Sequence, residues 1–74
     1  MDFLTARQLM SVYERIGKSI QEADELVRHL PEAERSTHLR ALAGMADYVW
    51  LHLQAPIVSE HRDLDPDADY FRAK

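Results

Sequence analysis

The sequence predicts an all-α fold: an antiparallel two-helix hairpin, over residues 1–58, that pairs into a dimeric four-helix bundle. Three observations carry that expectation. Apolar residues recur at helical spacing over two stretches, about 5–30 and about 31–55. The one break between them is at Pro31, and a tight reversal there is expected over one long helix kinked at Pro31, because a lone rod would leave every stripe bare. The stretch 39–53, LRALAGMADYVWLHL, is apolar around most of a helical circumference, so one neighbouring helix cannot cover it.

The first helix opens on a capping pattern. Thr5-Ala6-Arg7-Gln8 fits a capping box, with Leu4 and Leu9 as the flanking hydrophobic staple. Its inner stripe runs Leu9, Val12, Tyr13, Ile16, Ile20, Ala23, Leu26, Val27 and Leu30. Charged residues occupy the opposite side, and Glu14 and Lys18 stand at i,i+4 in the favourable order. Gly17 is an unfavourable interior residue, expected to mark a close crossing. At Leu30–Pro31 the chain reverses, because proline disfavours helical geometry in the residue before it and suits the first turn of a new helix. Glu32 and Glu34 then meet the positive end of the second helix dipole.

The second helix carries two stripes. Leu39, Leu42, Ala43, Ala46, Val49, Trp50 and Leu53 form the one expected to face helix one, with Trp50 in the core. Ala41, Gly44, Met45, Tyr48, Leu51 and Ala55 form the other, and with His52 they make the expected interface or partner-binding surface. Gly44 among them is expected to mark a closely approaching neighbour. Pro56 should end or kink the helix, with Ile57 and Val58 packing on the open end of the hairpin. That end should be the fattier one. Residues 59–74 read as an acidic tail that contributes little to the bundle. Asp65-Pro66 signals a short helix over about 66–72, with Tyr70 and Phe71 as aromatic anchors.

Composition narrows the function classes. Seventy-four residues allow one domain, and a core that small ordinarily needs help from disulfides, a metal or oligomerisation. There is no cysteine, which excludes disulfides and thiolate zinc sites. The net charge is −4, with no clustered Lys/Arg face, so nucleic acid is not expected as a partner. No leader is legible at the start, and the apolar run in 41–55 is too short and too polar to span a bilayer. The expected location is therefore cytoplasmic.

Site motifs are weak. Asp63, Asp65, Asp67 and Asp69 share the early spacing of a calcium loop. Ala68 stands where its glycine belongs, and Lys74 where its bidentate glutamate belongs. His38 and His52 share a face but lie roughly 21 Å apart on a helix, too far for one ion. Glu25 and His29 would make half a site, on the outward side of helix one. The serines and threonines sit on no nucleophile elbow or Gly-rich loop. No catalytic residue, metal site or cofactor is expected.

In outline, residues 5–55 resemble small bacterial or plasmid helical-hairpin regulators that pair into four-helix bundles, among them the RNA-binding copy-number type. The resemblance is one of shape and transfers no functional residues. The function expected from the residues is a non-enzymatic protein–protein interaction module. It would be a regulator, inhibitor or adaptor, homodimeric through an apolar face of helix two and binding an unidentified protein. The alternative is a nucleic-acid-binding hairpin regulator using Arg7, Arg15, Lys18 and Arg28. A metal-binding helical bundle is a weaker alternative.

Overall fold

A computed structural model describes residues 1–65. Helix α1 spans Phe3–Val27 and helix α2 spans Glu32–Tyr48. A π-helical segment, Val49–Gln54, joins α2 to α3, Ala55–Glu60, and a 3₁₀ turn follows at Arg62–Leu64. Among the described residues there is no strand. The hairpin is a slab of 44 × 29 × 16 Å, little thicker than one helix with its side chains, about 10–12 Å.

The first helix begins earlier than its capping pattern suggests. Asp2 has the extended backbone of an N-cap, and its Oδ2 accepts from the Thr5 N–H at 3.2 Å. Aspartate is the stronger cap, so Thr5 falls inside the first turn and Leu4 becomes an exposed helical residue. α1 also stops three residues before Leu30. Its end tightens into i→i+3 bonds, His29 N–H to the Leu26 carbonyl at 3.2 Å and Leu30 N–H to that of Val27 at 2.9 Å. Pro31 is extended, with ψ 152°, and caps α2, so the reversal occupies residues 28–31. Glu32 and Glu34 lie in the first turn of α2 as expected.

Pro56 does not end the second helix. The π segment ahead of it makes Ala55 donate to the carbonyl of Trp50, five residues back. Opening the ladder by one residue places Pro56 at the start of α3, where a missing N–H does no harm. The same turn rotates everything beyond Val49 relative to an unbroken α-helix. Leu39, Leu42, Val49 and Leu53 are half-buried as the inner stripe requires, but Ala43 and Ala46 are exposed. Trp50 is 40% exposed, against its expected core position.

The core sits at the open end. Ala6, Met10 and Ile57 are buried together, with Leu9, Tyr13, Val58 and Leu64 packed against them. The start of α1 thus lies beside α3, which makes the hairpin antiparallel. Leu64, within the stretch expected to contribute little to the bundle, packs against this core. The His61 Nε2 donates to the Met1 carbonyl at 2.9 Å, and the His61 ring meets Phe3 edge-on at 5.7 Å. Tyr70, Phe71 and the short helix expected over 66–72 lie outside the described residues.

Candidate interaction surface

Along the middle of the slab the two helices leave an open groove of 380 Å³. Val12, Ile16, Ile20 and Ala23 of α1 line one wall, and Leu42 and Met45 of α2 line the other. Arg15 and Ser19 complete the α1 side. The groove exists because α1 buries only part of its apolar arc. Ala6, Tyr13, Ile20 and Val27 are buried or half-buried, whereas Val12 and Ile16 are 39% and 37% exposed. Leu26, farther along the same side, is 71% exposed.

The structure places the expected surface residues in two settings. Met45, 53% exposed, belongs to the groove. Tyr48 and Leu51 are 61% and 60% exposed, and Ala41, Gly44 and His52 are also exposed, while Ala55 is half-buried. The Tyr48 and His52 rings lie 4.5 Å apart at 34°. Leu51 and His52 stand within the π segment, so they are turned relative to Met45. A Cβ added to Gly17 or Gly44 would meet nothing within 4 Å, so neither glycine marks a close crossing inside the chain.

Val12, Ile16 and Leu26 are the surface residues that periodicity missed. Spacing alone places them in one inner stripe of α1, but a single neighbouring helix covers only one flank of a stripe that wide. Their heptad spacing was the available signal.

Charged groups gather elsewhere. The Met1 ammonium lies 2.6 Å from the Glu60 Oε1; this hydrogen bond and charge lower the Glu60 pKa and raise that of the ammonium. Hydrogen bonds from Thr5 hold the Asp2 carboxyl below its usual range. Arg28 Nε donates to Asp24 Oδ2 at 3.0 Å, an i,i+4 pair on the surface. Among the described residues no three His, Asp or Glu side chains gather where a metal ion would fit, and no helix is long and apolar enough to cross a membrane. No family model matches the chain, nor does any curated protein or solved structure.

Proposed function

We infer that the chain is a small non-enzymatic protein–protein interaction module, a regulator, inhibitor or adaptor that acts as a homodimer through its uncovered apolar surface on helix two. The observation that carries this reading is the imbalance between core and surface. Met45, Tyr48 and Leu51 stand in water, as do Val12, Ile16 and Leu26, while among the described residues the buried apolar ones are Ala6, Met10, Val27 and Ile57. Each large side chain gains roughly 1.5–3 kcal/mol on full burial, so a few suffice to drive association. A twofold pairing of hairpins is the simplest closed assembly and gives a four-helix bundle.

Sedimentation equilibrium tests the reading. The wild type is expected to be a dimer, and Met45→Glu combined with Leu51→Glu is expected to split it and lower helicity. Arg40→Glu, on an exposed ridge, should do neither. A wild-type monomer at about tens of micromolar, where a dimer with a Kd of about 1 μM or tighter would be mostly assembled, would sink the homodimer and leave the same residues to a different protein.

A further inference from the structure

We propose that a second copy of the chain closes the groove by laying its α1 antiparallel to the first, in a register set by Arg15 and Glu22. This rests on the homodimer reading and adds the face, the helix and the register. α1 carries a regular seam: Leu9, Ile16 and Ala23 repeat every seven residues, and Val12, Ser19 and Leu26 follow each by three. One flank of the seam faces α2 and is covered. The other flank, with Arg15 and Glu22 one heptad apart, is exposed. In a four-helix bundle a helix has a neighbour on each flank, and α1 has one.

Antiparallel pairing sets each residue of the first group against one of the second. Val12 then meets Ala23 of the second copy, Ile16 meets Ser19, and Leu9 meets Leu26, each contact made twice by symmetry. In that register the outer flank brings Arg15 onto Glu22 of the second copy, also twice. Sliding by one heptad would set Arg15 on Arg15 in one direction and Glu22 on Glu22 in the other. The charges therefore select one register and oppose its neighbours.

The groove is lined by the same stretch of both helices. The twofold axis of this register lies level with Gly17 and Lys18, midway along the groove wall that runs from Val12 to Ala23. The same rule applied to α2 pairs Leu42 with Met45 of the second copy and sets Tyr48 over Ala41. Its centre lies at Ala43 and Gly44, between the two residues that form the other wall. One twofold axis can therefore serve both helices, since the two centres lie on facing walls of one groove.

Charge exchange in the full chain tests the register, since Arg15 and Glu22 are exposed and their replacement spares the core. Arg15→Glu alone and Glu22→Arg alone should each weaken the dimer about tenfold at low salt, as two exposed pairs turn repulsive. An equimolar mixture of the two variants should recover tight binding as a heterodimer, and the double variant should recover the homodimer. High salt should erase the differences. A dimeric wild type whose single variants bind as tightly as it does, or whose mixture is no tighter than its parts, overturns the register and leaves the homodimer reading intact. A monomeric wild type overturns both.

Discussion

At the scale of single residues, local chemistry decided between signals that periodicity could not rank. Thr5-Ala6-Arg7-Gln8 was a legitimate capping box, yet Asp2 three residues earlier accepts the Thr5 N–H and starts the helix. The folded-state pKa of Asp2 is depressed, so its stabilisation is present above its unfolded value of 3.8 and is lost as pH falls through the folded one. Asp2→Ala should therefore lower the melting temperature at neutral pH, and the gap from wild type should close in acid. Asp2→Asn, a comparable cap that does not titrate, should stay near wild type at neutral pH and lie above it in acid. Gly17 makes the opposite point. It read as a crossing, but the space beside it is open within 4 Å. Gly17→Ala should stabilise the chain by about 1 kcal/mol, or about 4–8 °C in melting temperature. A drop instead would reveal a neighbour at that position.

At the scale of elements, helix content and the turn before Pro31 were legible because they rest on apolar spacing and on proline's fixed backbone. The second helix was legible only as far as Val49. Nothing in VWLHLQ announces a π turn, since residue spacing is read on a single helical period and the extra residue shows only as a stripe out of phase. Spacing alone therefore predicts an end or a kink at Pro56, whereas the chain opens its ladder to pass it. The consequence is structural: passing Pro56 delivers Ile57 to the core and carries the chain on to Leu64. Truncation after Ser59 should thus remove a packed apolar side chain, at about 1 kcal/mol or more and a fall of at least about 4–8 °C. A melting temperature within about 1 °C of wild type, well inside the effect of 1 kcal/mol for so small a domain, would show that Leu64 contributes nothing.

At the scale of the whole molecule, a slab 16 Å thick has one internal interface, and α1 and α2 both carry more apolar arc than one interface covers. That shortage was legible in the sequence for the second half of helix two, 39–53, where polar residues are few. It was hidden for helix one, whose Val12, Ile16 and Leu26 look internal until the position of α2 is known. Leu26 gives the sharpest test of what covers the surplus. In a monomer it is 71% exposed, and Leu26→Ala should change stability by no more than about 0.5 kcal/mol. In the proposed dimer it packs on Leu9 of the second copy, and the same substitution should remove roughly 1.5–3 kcal/mol for each chain. Thermal melts over a hundredfold range of protein concentration separate the two. Mass action raises the stability of a folded dimer with concentration, so the wild-type melting temperature should climb across the range. The Leu26→Ala curve should fall progressively further below it as the dimer fills. Two flat, coincident curves would mean that the chain stands alone and that Leu26 meets only water.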